Sequence, residues 1–417
     1  SEIDGVKILS FNELKNLSDE LNIRNIIIAI PSLGKNKKQI LLKKILPLSK
    51  KISSLPDKKF YKDQNINVDD ISKVSLEELF NKNDDLVPDK KLLGFKNKNI
   101  LVTGGAGSIG SEVCAQLIKF KPNKIFVLDH SEFNIYRLSQ KLNNNKIKLL
   151  LGDIKDFNLI CNIIEKNKIN FIFHAAAYKH VKFLESNIQS AVKNNVLGTY
   201  SILKAIKNTN INLIFISTDK AFNPKTILGA TKRIGEILVK SVFLQNEYKN
   251  CNFSIVRFGN VIGSDGSALP YFLNQIINDK IISLTDKKME RYFMTIREAC
   301  SLVLQSSLMN FKNKTFFFDM GKPLNIYQII KKIFDIYKKP SQKLKIKIIG
   351  NKFNEKISEK LSFKKSIKKT NVNKIYLIKD SIYNKFEVND LVQILDKKLK
   401  NNNDKELGKF ILDFVKK

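Results

Sequence analysis

The sequence predicts an α/β protein: a doubly wound parallel (Rossmann) sheet with a smaller C-terminal substrate-capping domain and a partial α/β N-terminal module. Three observations support this prediction. From Asn99 onward, short apolar strands alternate with helical stretches, as in parallel sheets with helices on both faces. A glycine-rich turn follows the first strand of this series. Beyond about residue 262 the alternation loosens into mixed segments, which favours a second, smaller domain.

The elements follow one another in a regular order. The predicted strands are "NILVTG", "KIFVLD", "IKLLLGD", "INFIFHAAA" and "NLIFISTD", with a helix over "SIGSEVCAQLIKF" after the first. Earlier in the chain, "NIRNIIIAIPS" is typical of a buried strand and "KKQILLKKILPLSKK" of a helix, about half of an α/β unit. The tail "KLKNNNDKELGKFILDFVKK" predicts a terminal amphipathic helix.

These patterns divide the chain into four parts. We expect the remnant of a Rossmann-like module plus linker at 1–95, a dinucleotide-binding Rossmann domain at 96–261, a substrate-binding domain at 262–345 and a C-terminal extension at 346–417. Because the sequence begins in mid-pattern without Met, we also expect it to be an excised part of a longer protein.

Composition excludes several classes of protein. The content of 43% hydrophobic and 27% charged residues is that of a folded globular chain. The net charge of +33 comes from dispersed lysines, which indicates a compositional bias and not nucleic-acid binding. Attraction to an anionic membrane surface or to anionic substrates remains a functional alternative.

Cysteine and histidine usage indicates a reducing compartment. The 4 cysteines are far apart and form no CxxC pair, so a disulfide framework is not expected. The 3 histidines add no metal-ligand spacing, and we predict no metal site. The chain contains neither a signal peptide nor an apolar run of roughly 18 residues that would predict a membrane span.

The glycine-rich turn "TGGAGSIGSE" predicts a dinucleotide site. Gly104 permits a tight turn, Gly107 lets the backbone approach a pyrophosphate, and Gly110 allows close packing of helix on strand. Asp129 ends the next strand, where a carboxylate would accept hydrogen bonds from the adenosine ribose and repel a 2′-phosphate, so NAD is favoured over NADP. The alternative is a tight turn without a ligand. Asp153, after the following strand, fits either the adenine amino group or a helix N-cap.

Eight motifs together resemble one family. They are, in this order, "TGGAGSIGSE", "DHSEFN", "HAAAYKHV", "NNVLGT", "STDKAFNP", "GATKRIGE", "VRFGNVIGSDGS" and "RYFMTIREA", and the resemblance covers roughly residues 75 to 340. The chain looks like a CapD-like polysaccharide-biosynthesis protein of the extended short-chain dehydrogenase/reductase superfamily, close to the long, membrane-anchored UDP-N-acetylglucosamine 4,6-dehydratases. The resemblance implies bound NAD, with Ser108, Ile109 and Ala175 joining the cofactor contacts.

The resemblance also assigns the chemistry. Asp219 would be the acid and Lys220 the base, with Thr218 hydrogen-bonding the oxygen on carbon 4 of the sugar. Dehydration needs such a pair because a ketone at carbon 4 acidifies the hydrogen on carbon 5 while the hydroxyl on carbon 6 must leave as water. The base must be largely uncharged, a state that burial and the neighbouring Lys232 favour. The alternative is a helix-capping Asp beside a surface Lys.

A tyrosine is missing from this pattern. In most of the superfamily a Tyr stands four residues before the Lys that corresponds to Lys232, but this chain has Leu228 there. The long dehydratases resemble it in lacking that Tyr, so the enzyme need not be inactive. We expect Lys232 to hold the nicotinamide ribose. The proton of the hydroxyl on carbon 4 would leave through Thr218 to Asp219 or an ordered water. Tyr178 is a second candidate for accepting this proton.

For the nucleotide end, the resemblance implies UDP contacts from Asn260 and Arg291, whose guanidinium fork suits a diphosphate. Lys179 would meet the sugar or diphosphate, or else be solvated. One motif departs from the family: "GNKFNEK" has Lys352 and Phe353 where Arg and Pro are usual, which weakens the expected nucleotide contacts there.

The sequence therefore predicts an NAD-dependent 4,6-dehydratase of a UDP-N-acetylhexosamine, with UDP-N-acetylglucosamine favoured. The alternatives are a UDP-N-acetylhexosamine 4-epimerase, which needs no base at carbon 5, and a non-catalytic protein that binds NAD or a nucleotide sugar. By resemblance we expect a homo-oligomer. We also expect the full-length protein at the cytoplasmic face of the bacterial inner membrane, held there only through a missing N-terminal region, with this chain itself soluble.

Overall fold

The computed structural model describes most of the chain from residue 93 onward and short stretches before it. The described residues are 2–17, 23, 25–30, 32–33, 35–45, 48, 52–54, 72–73, 93–309, 313–337, 342–351, 354–359, 367–378 and 388–416. Most of the predicted linker before Asn99 lies outside them.

The strands are numbered in chain order. They are β1 (Glu2–Ile3), β2 (Val6–Lys7), β3 (Ile26–Ile28), β4 (Ile52–Ser54), β5 (Ser72–Lys73), β6 (Asn99–Thr103), β7 (Lys124–Asp129), β8 (Ile147–Leu151), β9 (Phe171–His174), β10 (Asn212–Thr218), β11 (Asn252–Phe258), β12 (Asn260–Ile262), β13 (Ile282–Leu284), β14 (Glu290–Arg291), β15 (Phe293–Thr295), β16 (Lys314–Phe318), β17 (Leu324–Asn325), β18 (Ile346–Ile348), β19 (Ile367–Lys369) and β20 (Ile375–Ile378).

The α-helices are numbered in the same way. They are α1 (Phe11–Leu17), α2 (Lys35–Ile45), α3 (Ser108–Ile118), α4 (Glu132–Lys141), α5 (Phe157–Asn167), α6 (Val181–Glu185), α7 (Ile188–Ala191), α8 (Gly198–Ala205), α9 (Ile227–Val242), α10 (Ala268–Ile277), α11 (Ile296–Ser307), α12 (Ile326–Tyr337), α13 (Val388–Lys400) and α14 (Asp404–Phe414). A π-helical turn, Val192–Leu197, joins α7 to α8, and a 3₁₀ turn, Asp219–Ala221, follows β10.

The chain forms two compact units. The larger contains Asp84–Gly266, Lys288–Leu324 and Gly350–Lys417, and the smaller contains Ser1–Asn83, Ser267–Lys287 and Asn325–Ile349. Both units are therefore assembled from separate segments of the sequence. The four-part division expected from the sequence stays a prediction.

The larger unit is built on a nine-stranded sheet in the order β19-β20-β16-β11-β10-β9-β6-β7-β8. The seven strands from β16 to β8 pair in parallel, whereas β20 and β19 add an antiparallel edge. The five strands predicted from the sequence all lie in this parallel part. The predicted α/β class with a parallel sheet is confirmed.

Helices cover both faces of this sheet. Along β6, Leu101 belongs to one buried apolar cluster while its neighbours Ile100 and Val102 belong to another. Because successive side chains of a strand point to opposite faces, two separate cores mean that both faces are buried. This is the doubly wound arrangement that the near-continuous apolar strands predict.

The C-terminal tail belongs to the first of these two cores. Leu395 of α13 and Leu407 of α14 are fully buried in the same cluster as residues of β6 and α9. The structure replaces the single predicted tail helix by two, because the chain turns at Asn402 with a left-handed φ of 52°. The Asn403 side chain then caps α14 by accepting from the backbone N–H of Glu406.

The smaller unit contains a three-stranded sheet, β3-β4-β5. Ile28, Leu42, Ile45 and Ile52 form its buried cluster, with Tyr337 of α12 packed against them. β13 and β18 pair in parallel in the same unit. The predicted early strand and helix are thus present as β3 and α2. None of the helices among the described residues is long and apolar enough to cross a membrane.

Candidate active site

The glycine-rich turn lies between β6 and α3, as the sequence predicts. Gly104 has a φ of 61°, and a Cβ there would lie 2.6 Å from the backbone N and Cα of Ala176. A Cβ at Gly110 would lie 2.3 Å from the carbonyl oxygen of Gly104. Both positions therefore exclude any side chain, which leaves backbone N–H groups and the start of a helix open to a ligand.

Asp129 ends β7 beside this turn and is buried. Its Oδ2 accepts from the backbone N–H of Ala106 at 3.1 Å, and its Oδ1 accepts from that of Ser131 at 3.0 Å. The carboxylate thus braces the glycine-rich turn in addition to any contact with a ribose. This bracing role was not predicted from the sequence.

A cavity of about 490 Å³ runs along the carboxyl ends of β6 to β9. Among its lining residues are eight of the predicted cofactor contacts and one predicted substrate contact: Gly104, Gly107, Ser108, Ile109, Gly110, Asp129, Asp153, Ala175 and Lys179. In a parallel sheet the ligand crevice lies at this edge. The glycine cradle, the helix start and the buried carboxylate fit a dinucleotide, and so they fit NAD.

The two predicted alternatives for Asp153 can be separated. The N-cap of α5 is Asp156, whose side chain accepts from the backbone N–H of Leu159. Asp153 instead accepts from the backbone N–H of Lys155 at 2.9 Å and pairs with the ammonium of the same lysine at 3.0 Å. The N-cap alternative is therefore wrong, while the contact with adenine stays a prediction.

Three of the four predicted catalytic residues, Thr218, Asp219 and Lys220, are joined by hydrogen bonds at the end of β10. The Thr218 hydroxyl donates to Asp219 Oδ1 at 2.9 Å, and Lys220 Nζ donates to the same oxygen at 3.0 Å and to Asn260 Oδ1 at 3.3 Å. Asp219 is fully buried, and the Lys220 side chain is only 15% exposed. A capping Asp beside a surface Lys does not fit this geometry.

The second oxygen of this carboxylate differs from the first in its hydrogen bonding within the described residues. Asp219 Oδ2 is buried and accepts no hydrogen bond from the described residues. A buried polar atom without a partner costs free energy of about 1–3 kcal/mol unless a ligand or water satisfies it. This atom therefore marks where a reacting group can be hydrogen-bonded.

The position of the missing tyrosine is part of the core. Leu228 is 6% exposed and packs in the apolar cluster of α9. The neighbouring Gly229 lets α9 begin close to the 3₁₀ turn Asp219–Ala221, because a Cβ there would lie 2.4 Å from the carbonyl oxygen of Lys220. The Tyr178 ring lies against His130, with centroids 6.1 Å apart, and lines the cavity at the Asp129 end.

Lys232 lies one turn further along α9 and is 5% exposed. Its ammonium is 4.2 Å from the centroid of the Phe215 ring. Burial lowers the pKa of Lys232 to about 8, while the negative charge of Glu236 opposes this shift. His174, on the strand beside it, has a pKa lowered to about 3 by burial and by Lys232, and it is therefore neutral.

The predicted substrate residues are placed less uniformly. Asn260 is tied to Lys220, as described above. The Arg291 guanidinium is 4% exposed and donates to the carbonyls of Glu290 and Ile357 and to the Glu355 carboxylate. Lys179 is exposed at the cavity. The two departures from the family motif, Lys352 and Phe353, lie outside the described residues.

The sequence analysis did not identify Asn195. This residue lies in the π-helical turn, and its side chain fixes the backbone at Tyr178 and contacts α9. Its Oδ1 accepts from the backbone N–H of Tyr178 at 2.8 Å, and its Nδ2 donates to the Tyr178 carbonyl and to Thr231 Oγ1. π-Helical turns are rare and are frequently found at functional sites. The motif "NNVLGT" contained this residue, but nothing in the sequence alone shows its partners.

The fold and the site define a class of α/β proteins with a glycine-rich turn after a parallel strand and a hydrogen-bonded Asp–Lys pair at the end of a central strand. More specifically, residues 100–380 match the model of the polysaccharide biosynthesis protein family. The chain belongs to this family.

Three relatives illustrate the range of the match. The chain is 36% identical over 400 residues to the capsular polysaccharide biosynthesis protein CapD of Staphylococcus aureus, covering 94% of this chain but 66% of the relative. It is 34% identical over 215 residues to a UDP-N-acetylglucosamine 4,6-dehydratase (inverting) of Campylobacter jejuni, covering 51% of this chain and 64% of the relative. It is 32% identical over 270 residues to a UDP-glucose 4-epimerase of Rickettsia bellii, covering 63% and 76%. The chain thus spans less than two thirds of the length of the first two of these relatives, one of which is named as a nucleotide-sugar dehydratase.

Proposed function

We propose that this chain is an NAD-dependent 4,6-dehydratase that converts a UDP-N-acetylhexosamine, with UDP-N-acetylglucosamine favoured, into a 4-keto-6-deoxy sugar. The hydrogen-bonded, buried pair of Asp219 and Lys220 carries this proposal. Dehydration needs an acid and a base side by side on the sugar, and the relative named as a dehydratase supports the same reaction. The product suits the assembly of surface polysaccharide or glycoprotein.

NAD, when bound, would take the hydride from carbon 4 and return it to carbon 6, so that the overall reaction is redox-neutral. The glycine cradle and Asp129 would hold its diphosphate and adenosine ribose. Lys232 would donate to the nicotinamide ribose. Since Leu228 has no proton to exchange, the carbon 4 hydroxyl needs another acceptor.

Thr218 provides that acceptor. Its hydroxyl already donates to Asp219 Oδ1, so it can accept from the carbon 4 hydroxyl and relay the proton to the carboxylate. Asp219 then carries the proton that the departing hydroxyl on carbon 6 takes away as water. One proton enters the pair from oxygen 4 and one leaves with oxygen 6, so the protons balance without a phenol.

Lys220 acts on carbon 5. In its uncharged form, which a base requires, Lys220 would take the proton from carbon 5. Its contacts with Asp219 and Asn260 hold the amine in one place while it does so. The proton returns to carbon 5 when the hydride reaches carbon 6, and this proton exchanges with solvent in the interval.

At the nucleotide end, Arg291 and Lys179 supply the positive charge for UDP. Arg291 is fixed by three acceptors, which leaves the guanidinium oriented and its charge partly balanced by Glu355. Asn260 serves the sugar end through Lys220.

The test is incubation of the protein with NAD and UDP-N-acetylglucosamine in deuterated water. We expect loss of the carbon 6 hydroxyl with deuterium at carbon 5. Lys220→Met and Asp219→Asn should each lose about 10²–10⁴-fold in turnover. Lys207→Met is the matched control, since Lys207 is half exposed and pairs with Glu247 at the surface. An Asp219→Asn variant with near-full turnover would reject the proposal.

A second candidate function is 4-epimerisation, which the relative named as an epimerase favours. An epimerase shares the first oxidation but needs no base at carbon 5. In the same experiment it would change the configuration at carbon 4, keep the carbon 6 hydroxyl and leave carbon 5 free of deuterium.

A further inference from the structure

One buried carboxylate on α9 contacts two strands of the site, β10 and β11. Glu236, on α9, is fully buried. Its Oε1 accepts from the Ser217 hydroxyl at 2.7 Å and from Arg257 Nε at 2.6 Å. Its Oε2 accepts from Arg257 Nη2 and from Arg233 Nη1, the latter at 3.0 Å. Four donors thus converge on one side chain, of which Ser217 belongs to β10 and Arg257 to β11.

Each of these elements leads into the proposed catalytic groups. Ser217 is followed directly by Thr218, the first residue of the catalytic turn. Arg257 lies three residues before Asn260, whose side chain accepts from Lys220. Loss of the Glu236 hydrogen bonds would therefore displace the ends of β10 and β11. These two strand ends carry Lys220 and Asn260, whose side chains are hydrogen-bonded to each other.

The same carboxylate faces the cofactor end. Lys232 lies four residues before Glu236 on α9, so the two side chains are neighbours on one face of the helix. Both are buried, which leaves their interaction little screened by solvent.

We propose that Glu236 is a positioning residue of the active site, which joins the ends of β10 and β11 and keeps Lys232 charged for its contact with the nicotinamide ribose. This inference rests on the proposed function. It goes beyond it in assigning a role to a residue that touches neither substrate nor cofactor.

The charges around Glu236 and Lys232 determine in which direction the pKa of Lys232 shifts when the Glu236 charge is removed. Glu236 faces Arg257 from β11 and Arg233 and Lys240 from its own helix, and these cations hold its pKa well below the usual range despite burial. The carboxylate is therefore charged throughout the neutral range. Lys240 has a pKa lowered to about 7 by burial.

Lys232 faces Glu236 on its own helix and the neutral His174 on β9, and the turn that carries Asp219 and Lys220 packs against the same helix. Glu236 is the group that raises the pKa of Lys232 against burial. Removing the negative charge therefore lowers the pH at which Lys232 loses its proton.

A purely stabilising role does not require this arrangement. Burying a carboxylate among cations carries a desolvation penalty, and well-packed apolar groups at such places are often as stable or more stable. What an apolar group cannot do is fix two strand ends by directional hydrogen bonds and supply a negative charge to a buried lysine.

The test measures NAD affinity and turnover from about pH 6 to about pH 10. Glu236→Gln should shift the alkaline loss of NAD binding to lower pH and reduce turnover by roughly 10²-fold. Glu236→Asp keeps the negative charge, so NAD binding should be lost at the same alkaline pH as in the unmodified protein. This loss of NAD binding at high pH is the alkaline limb of the pH profile. Glu298→Gln is the matched control. Glu298 is also buried, at 4% exposed, and its carboxylate pairs with Lys374 at a distance of 2.7 Å, so it takes no part in the contacts of Glu236. It should leave the limb in place.

A uniform loss of NAD binding at every pH, with the alkaline limb unmoved, would show a structural role only and overturn the proposal. Should Glu236→Gln fail to fold, Ser217→Ala gives a second test, since it removes one hydrogen bond to Glu236 and leaves the carboxylate in place. It should lower turnover and leave the alkaline limb unmoved, and full turnover would overturn the role of Glu236 in joining the strand ends. Because NAD binding needs no sugar, a protein with this pH behaviour but no dehydration would reject the proposed function alone.

Discussion

Gly259 lies against the buried carboxylate of Asp219. A Cβ at Gly259 would lie 2.9 Å from Asp219 Oδ2 and 3.2 Å from both the Cε and the Sδ of Met320. The backbone N–H of Gly259 also donates to that Met320 sulfur at 3.1 Å. The space beside Asp219 Oδ2, which has no hydrogen-bond partner among the described residues, is thus limited by the backbone of Gly259 and the flexible side chain of Met320.

We therefore expect Gly259→Ala to reduce turnover strongly while the protein stays folded. The added methyl group would press on the Oδ2 that the departing hydroxyl must reach, and a fixed carboxylate cannot yield as Met320 can. Displacement of the acid by even about 1 Å can lower the rate by about 10²-fold. The measurement is kcat with UDP-N-acetylglucosamine, beside a thermal melt.

The matched control is the double variant Gly259→Ala/Met320→Ala. It removes the contact with sulfur but leaves the contact with the carboxylate, so turnover should stay low. Recovery of full turnover in the double variant would mean that the methionine, and not the acid, limits this space.

Local rules were sufficient for the strands and the cofactor turn. The apolar runs at β6, β7 and β9 are continuous because these strands are buried on both faces, and a glycine is required wherever a Cβ would meet backbone, as at Gly104. Both signals are complete within a few residues. For this reason the predicted strands and the predicted glycine-rich turn agree with the structure.

The contacts of Glu236 with the strands before the Asp219–Ala221 turn and before Asn260 could not be predicted from the sequence in this way. The Glu236 carboxylate meets Ser217 and Arg257, which are about 20 residues away on opposite sides along the chain. Nothing in the sequence around Glu236 distinguishes it from a solvated helix residue. Only its spacing of four from Lys232 placed it on the same helix face, and that signal is shared by many exposed pairs.

In the C-terminal tail, the sequence contains a turn signal to which the prediction gave less weight than to the apolar periodicity. Its apolar periodicity predicted one helix, yet the sequence has three consecutive asparagines at 401–403. Asparagine tolerates the left-handed conformation that Asn402 adopts, and it is a preferred N-cap, the role of Asn403. Turn chemistry therefore overrode helical periodicity at this point.

Asp129 gives a second prediction. Its two oxygens accept from the backbone N–H groups of Ala106 and Ser131, so Asp129→Asn would turn an amide nitrogen toward one of these donors. Loss of one hydrogen bond that braces the glycine-rich turn should weaken NAD binding by about tenfold, which corresponds to about 1.4 kcal/mol. Titration calorimetry with NAD measures this change directly.

Asp156→Asn is the control for Asp129→Asn. Asp156 caps α5, and asparagine is an equally good N-cap, so NAD affinity should be unchanged. Equal affinities for Asp129→Asn and the unmodified protein would mean that the turn keeps its geometry without the carboxylate.

The last prediction concerns the stability of the larger unit. Leu407 of α14 is fully buried in the apolar cluster that also contains Ile188, Ile227 and Leu395. Leu407→Ala removes buried methyl groups and leaves a cavity, so the free energy of unfolding should fall by about 3 kcal/mol. Lys409→Ala, at an exposed position of the same helix, should change it by less than about 0.5 kcal/mol. Urea denaturation of both variants measures the difference. If α14 were only loosely attached, the two substitutions would have the same small effect. A large loss for Leu407→Ala alone would instead make the C-terminal helices part of the core beneath α9, the helix that carries Lys232.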